Sequence, residues 1–364
     1  GERFQVVLSA FTGDQNFSLQ LKALLKLRDS DTEKYFFDLE APFKIAEILE
    51  KDDALYLDMV QIMNRSLDLV DVRQPYSEAY YRSLEEAGRY LEEEYYQKYE
   101  NKSIATAWCI GHSHIDVAWK WTLDVTRDKA VRSFSTVLEL MERYPEYRFM
   151  ASQPQLYLYL KDYAPQQYER VKERVREGRW EPEGGMFLEA DVVLTSGESL
   201  VRQLLYGKKF FREEFGKDSE ILWMPDVFGY TAALPQIMAK SGIRYFMTTK
   251  IGWNETNCFP YDTFLWEGLD GSQILTHMSP ARTFLPSWAD RSQDRNYTTY
   301  NAYLAPSHMM GGWQRYRQKD VSRQFLAAFG FGDGGGGPTR EELESCRRLQ
   351  RGLAGCPRTV IASA

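Results

Sequence analysis

The chain has 364 residues, 43% of them hydrophobic and 27% charged, with a formal net charge of −7. That is ordinary globular material for one large core or two, and the acidic balance argues against a nucleic-acid backbone as partner. No apolar run approaches the ~20 residues of a membrane span, and no secretory signal pattern is present. The 4 cysteines (Cys109, Cys258, Cys346, Cys356) lack zinc-finger or CxxC spacing, which fits free thiols in a reducing, cytoplasmic setting.

In chain order, Phe4 to Ala10 reads as a strand and Gly13-Asp14 as a turn. Residues 18 to 100 read as helical, with apolar residues at helical spacing from 18 to 27, 43 to 49 and 54 to 70. A long amphipathic helix follows from Ser77 to Tyr99, whose Glu92-Glu-Glu94 run is a solvated face. Residues 1–103 are therefore expected to form a mainly helical accessory region, with 1–12 the end of a β unit. Both chain ends read as cut from something longer.

From Ile104 the pattern changes to short strand-like runs alternating with helices, the signature of parallel βα units over 104–364. Strands are expected at 104–110, 147–150, 179–181, 220–224, 244–249, 273–277 and 325–331. Helices are expected at 125–144, 153–163, 166–177, 232–240 and 339–351. Thr195-Ser-Gly-Glu198 reads as a capping box that opens a further helix to Phe215. Leu269-Asp-Gly-Ser272 reads as a hairpin turn, and the terminal Thr359 to Ala364 as a strand.

Chemistry in parallel βα folds sits at the carboxyl ends of the strands. The first strand delivers Gly111-His-Ser-His-Ile-Asp116, where alternate positions share one face of an extended segment. His114 and Asp116 there can hold a divalent cation, zinc first, although a lone His-x-Asp more often caps a helix. Asp226 directly follows a buried strand and Pro225, too early to cap the next helix, so a functional role is favoured. His277 and His308 could be ligands, but a buried, hydrogen-bonded histidine is the more ordinary state. For Glu189 and Asp191, a place behind a ligand or against substrate stands level with plain loop polarity. The run Gly332-Asp-Gly-Gly-Gly-Gly-Pro338 fits neither GxGxxG nor GxxxxGK[ST], which excludes nucleotide phosphate binding. It reads instead as a loop whose backbone approaches a ligand, with Asp333 at its mouth.

Three motifs together, Gly111-His-Ser-His-Ile-Asp-Val-Ala-Trp119, Trp223-Met-Pro-Asp-Val-Phe-Gly-Tyr230 and Gly330-Phe-Gly-Asp-Gly-Gly-Gly-Gly-Pro338, resemble the retaining α-mannosidases of glycoside hydrolase family 38. The resemblance covers nearly the whole chain, including Ser196-Gly-Glu-Ser-Leu-Val-Arg-Gln203, and is strongest to the cytosolic and bacterial class. It implies a (β/α)7-type barrel, truncated here at its C-terminal end. It implies one Zn2+ held by His114, Asp116 and Asp226, with Asp226 also the nucleophile, and a mannose-containing oligosaccharide as substrate. Trp119 and Phe228 match positions that line the mannose subsite, and Lys250 falls where some relatives carry a substrate-contacting Arg.

Two departures stand out. The family's fourth zinc ligand is a His downstream of the strands present here, beyond residue 364, unless His277 substitutes. Relatives carry an acid/base Asp shortly after the position of His277-Met-Ser-Pro280, where this chain reads Ala-Arg-Thr-Phe. Asp290, Asp294 and Asp333 are the candidates, and Asp333 is preferred. The rivals are a metal-dependent carbohydrate deacetylase and a non-catalytic carbohydrate-binding module. A homo-oligomer is compatible with the sequence.

Overall fold

The computed structural model describes residues 27–290 and 297–364. The strand expected at 4–10, the turn at 13–14, nearly all of the helix at 18–27 and candidate Asp294 lie outside the described residues.

The described chain opens with helices whose starts are set by side-chain caps. Asp29 accepts from Thr32 N at 2.8 Å ahead of α1 (Ser30–Ala46), and Asp53 from Leu55 N at 2.7 Å ahead of α2 (Ala54–Asp68). Ser77 caps α3 (Glu78–Leu91), which runs through a π turn (Glu92–Tyr96) into α4 (Gln97–Tyr99). Two buried hydroxyls between these helices are satisfied locally. Tyr35 meets Ser66 at 2.9 Å, and Ser66 donates to Ala87 O at 3.0 Å. The helices share one hydrophobic core with the α/β region: Ile45, Met59, Leu91 and Tyr95 cluster with Cys109, Phe134 and Leu343.

The α/β region begins with β1 (Thr106–Gly111), followed by α5 (Leu123–Arg143), β2 (Phe149–Ala151), α6 (Pro154–Tyr163) and α7 (Pro165–Arg176). Next come β3 (Trp180–Pro182), α8 (Gly197–Phe215), β4 (Ile221–Trp223), α9 (Leu234–Lys240) and β5 (Tyr245–Thr248). The chain then forms β6 (Thr263–Glu267), β7 (Gln273–Met278), α10 (Pro306–Arg315), β8 (Gln324–Phe329), α11 (Arg340–Leu349) and β9 (Arg358–Ile361). The expected capping box at 195–198 is not the one formed. Ser196, one residue later, caps α8, and a full capping box sits instead at Thr339 and Glu342 of α11. Glu342 lies on that helix's first turn where its carboxylate can reach back to the Thr339 backbone, whereas Glu198 is occupied by Arg202 at 2.9 Å.

Two sheets result. The first has order β3-β2-β1-β8, with β9 also on β1, and all its pairings are parallel. The second has order β4-β5-β7-β6, parallel except for the β6–β7 hairpin. Among the described residues a single parallel bridge, Gly184 to Leu222, links them. The described residues thus form a mixed α/β structure of parallel sheets and helices, and no closed barrel is present among them. Because the main strands run the same way, β1, β2, β4, β5 and β8 all discharge their following loops at one edge.

Packing fixes that edge. Phe134, Phe149, Tyr157 and Trp180 meet edge to face beneath β2 and β3, and the Trp180 indole donates to Tyr157 Oη at 2.9 Å. On the other side, Arg315 at the end of α10 donates to Asp262 Oδ1 at 2.9 Å, with both side chains almost wholly buried, and Arg317 N donates to Oδ2 at 2.7 Å. Arg315→Ala leaves the Asp262 carboxylate buried without its guanidinium. It is expected to lower unfolding free energy by about 3–5 kcal/mol, read by chemical denaturation.

Candidate active site

The edge of the sheets carries a dense polar cluster. His114, two residues past the first motif's His112, is buried with a carboxylate against each ring nitrogen. Its Nε2 lies 3.3 Å from Asp116 Oδ1 and 3.5 Å from Asp226 Oδ2, and its Nδ1 lies 3.0 Å from Glu189 Oε2. Burial opposes charge on this imidazole, but the Glu189 and Asp116 carboxylates outweigh it and push the His114 pKa up to about 10. His112 behaves in the opposite way. Its Nδ1 meets Met150 O at 3.0 Å, and burial pushes its pKa down to about 4, so it is a neutral floor to the site.

Ligand atoms of His114, Asp116 and Asp226 lie within 4.8 Å of one another. One imidazole nitrogen and two carboxylate oxygens converging from two strand ends match the N/O donor set that zinc takes. The two halves of Asp226 face different groups. Oδ2 faces His114, while Oδ1 pairs with Lys250 Nζ at 2.6 Å. Lys250 is itself boxed by rings, its Nζ 3.8 Å from the Trp253 centroid, 4.6 Å from Phe228 and 5.4 Å from Tyr300. Asp226 caps no helix, since α9 begins after Ala233 with no side-chain cap.

The glycine loop closes the other side. Phe331 and Gly337 pair across it, and Asp333 adopts a left-handed φ of 57°. Its backbone oxygen accepts from Asp116 N at 3.0 Å, so the loop approaches the His114–Asp116 segment rather than open space. Its carboxylate accepts from the Tyr300 hydroxyl, and that hydroxyl also faces Asp226. Burial together with these two carboxylates holds the Tyr300 phenol far above its ordinary pKa.

The other sequence candidates fall as follows. Phe228 is exposed at the rim, edge-on to Trp253 at 6.0 Å. Trp119 is also exposed and packs on Trp121 at 5.7 Å. Asp290 is exposed. His277 meets Thr263 Oγ1 at 2.9 Å across the hairpin, and His308 meets Tyr303 N at 3.0 Å, so neither joins the His/Asp/Asp group. Sequence reasoning missed Tyr300 and Trp253 altogether. Both follow loops without periodicity, and only the proximity of Tyr300 to Asp333 in space gives it meaning.

The model for the glycosyl hydrolases family 38 N-terminal domain matches residues 105–364. The chain belongs to glycoside hydrolase family 38. Within this family, the chain is 34% identical over 350 residues to alpha-mannosidase G of Dictyostelium discoideum, covering 96% of this chain and 30% of that protein. It is 37% identical over 342 residues to human alpha-mannosidase 2C1 (94% and 31%), and 39% identical over 259 residues to the alpha-mannosidase of Saccharomyces cerevisiae (70% and 22%). The chain therefore spans less than a third of the length of these family 38 relatives. In fold it is similar to the crystal structure of an alpha-mannosidase from Enterococcus faecalis, with a TM-score of 0.56 at 19% identity over 71% of this chain and 28% of that one.

If the three convergent groups hold a cation, binding stabilises the folded state by mass action. Added zinc should raise the thermal unfolding midpoint, and His114→Ala or Asp116→Ala should abolish that rise.

Proposed function

We propose that this family 38 protein removes terminal α-linked mannose from oligosaccharides with retention of configuration, using Asp226 as nucleophile and Asp333 as acid/base. What carries the reading is the convergence of His114, Asp116 and Asp226 at one strand edge, with Asp333 facing Asp226 across a single phenol. The names of the relatives above give the substrate class. We also take the two sheets as arcs of one (β/α)7-type barrel, with residues 1–103 as its accessory region, because both arcs deliver their loops to the same site. Four cysteines without a disulfide among the described residues, three of them buried, support a cytoplasmic location. No described helix is long and apolar enough to cross a membrane.

Zinc would be held by His114, Asp116 and Asp226, and when bound it supplies a Lewis acid for the hydroxyls of the sugar. The residues do the rest. Lys250 fixes one oxygen of Asp226 and so sets the direction in which the carboxylate faces the sugar. Exposed Phe228, Trp253 and Trp119 offer ring faces to the apolar side of a pyranose. Asp226 attacks C1 while Asp333 gives its proton to the departing oxygen, which leaves a glycosyl ester on Asp226. Asp333 then takes a proton from water, whose oxygen attacks C1 and frees Asp226. One phenol reaching both carboxyls fits the short spacing, about 5–5.5 Å, of retaining rather than inverting glycosidases.

The deciding experiment is hydrolysis of an aryl α-mannoside by the full-length protein, with and without chelator and zinc add-back. Chelator-sensitive turnover is expected, and Asp226→Asn should lower it on the order of 10³-fold or more. Cleavage of acetylated sugars in place of mannosides would move the assignment to a deacetylase. Sugar binding with no turnover would make the protein a binding module.

Asp333→Asn gives a separate check on the acid/base. It should slow mannosides with poor leaving groups by about 10²–10⁴-fold, and activated aryl mannosides much less, because they need little protonation to depart.

A further inference from the structure

Glu189 stands behind His114, on the side of the ring opposite Asp116 and Asp226. We propose that Glu189 is the positioning residue for His114: it accepts the Nδ1 proton and so turns the Nε2 lone pair toward Asp116 and Asp226. This rests on the metal-site reading given above and extends it to the group that prepares the ligand.

The geometry is restrictive. Glu189 Oε2 and His114 Nδ1 lie 3.0 Å apart, their side chains are 4% and 5% exposed, and neither atom has another hydrogen-bond partner among the described residues. A buried carboxylate and a buried imidazole nitrogen left facing each other must share a proton, and an ionised carboxylate has none to give. The proton therefore sits on Nδ1. The opposite nitrogen points at two further carboxylate oxygens at 3.3 and 3.5 Å. With no metal a second proton there answers those carboxylates; a cation takes that proton's place and leaves the Nε2 lone pair facing it. A carboxylate on the far nitrogen also makes the imidazole a more basic ligand.

Glu189 is held as firmly as it holds. Ser152 Oγ donates to Glu189 Oε1 at 2.9 Å, and Glu189 N donates to Gln153 Oε1 at 3.4 Å. Gln153 Nε2 in turn donates to Ile115 O at 3.0 Å, on the residue between His114 and Asp116. Gln153 does this from a left-handed φ of 65°, a conformation an L-residue keeps only when its surroundings impose it. Ser152 and Gln153, at the end of β2, thus lock the loop that carries Glu189 to the loop that carries two of the ligands. At 4% exposure Glu189 is enclosed behind the imidazole, which excludes direct contact with a sugar.

The test is zinc affinity of the full-length protein, measured by competition with a chromophoric chelator, for the wild type, Glu189→Ala, Glu189→Gln, Ser152→Ala and His114→Ala. Glu189→Ala should weaken zinc binding by about 10–100-fold while the far-ultraviolet circular dichroism of the metal-free protein is unchanged. Glu189→Gln, whose amide oxygen still accepts from Nδ1, should lose less, and Ser152→Ala less again. In the cobalt-substituted protein Glu189→Gln should shift the visible ligand-field bands, which a residue serving only to pack the loop would not do. Wild-type affinity and an unshifted cobalt spectrum in Glu189→Gln would overturn the proposal, whether or not Glu189→Ala folds. In that case zinc binding by the wild type, lost in His114→Ala, would leave the metal site standing. Absence of zinc binding in the wild type would overturn the metal site and this proposal together.

Discussion

An imidazole buried between carboxylates, His114, is the point on which the site is built. Burying a ring that can carry charge is costly unless each nitrogen finds a partner, and here the partners come from loops after β1, β3 and β4. None of these loops can shift alone without leaving a carboxylate or a ring nitrogen unsatisfied in a dry place. The neighbouring clamps follow the same logic. Asp116 N is bound to Asp333 O, so the glycine loop is tied to the loop that follows β1. Lys250 would be an equally costly charge were it not paired with Asp226 and enclosed by three aromatic rings.

Much of this was legible in the residues before the structure. The first strand announced itself as a continuous apolar run ended by Gly111, and the ligand types at alternate positions after it share a face because the chain stays extended. Asp226 was conspicuous for the same reason, a carboxylate directly after a buried strand. Glu189 was noticed but could not be separated from ordinary loop polarity. Its meaning depends on Ser152 and His114, which lie in other loops and share no local pattern with it. Tyr300 was invisible because a tyrosine in an aperiodic stretch announces nothing until its neighbours are known.

Helix α1 lies within the stretch read as helical, but Pro42 and the exposed Phe36 and Phe43 blur its apolar stripe, so helical spacing shows only from 43. Helix α10 was not anticipated. Helix α10 contains Gly311 and Gly312, residues that weaken a helix on propensity alone. Packing requires them. A Cβ on Gly311 would meet Arg282 O at 2.1 Å, and one on Gly312 would meet the Phe325 ring at 2.8 Å. Local preference was overridden there by close approach of the backbone, which no periodic pattern displays. The barrel expected from the family motifs is likewise a property of how sheets join, and among the described residues one bridge, Gly184 to Leu222, ties the two sheets.

The pairing of β1 has a consequence for how the chain reaches this structure. The strand that leads to His114 is paired with β8 and β9, and Trp108 is bound through its indole to Gln324, 216 residues away. Contacts so distant in sequence carry a large loop-closure cost and form late. During synthesis β1 emerges early and waits, paired only with β2 at Gly111, until β8 and β9 arrive. An apolar strand held open in that way is a natural target for chaperones and for misassociation. The strand that leads to His114 and Asp116 is therefore fixed on these edges only after β8 and β9 have been made.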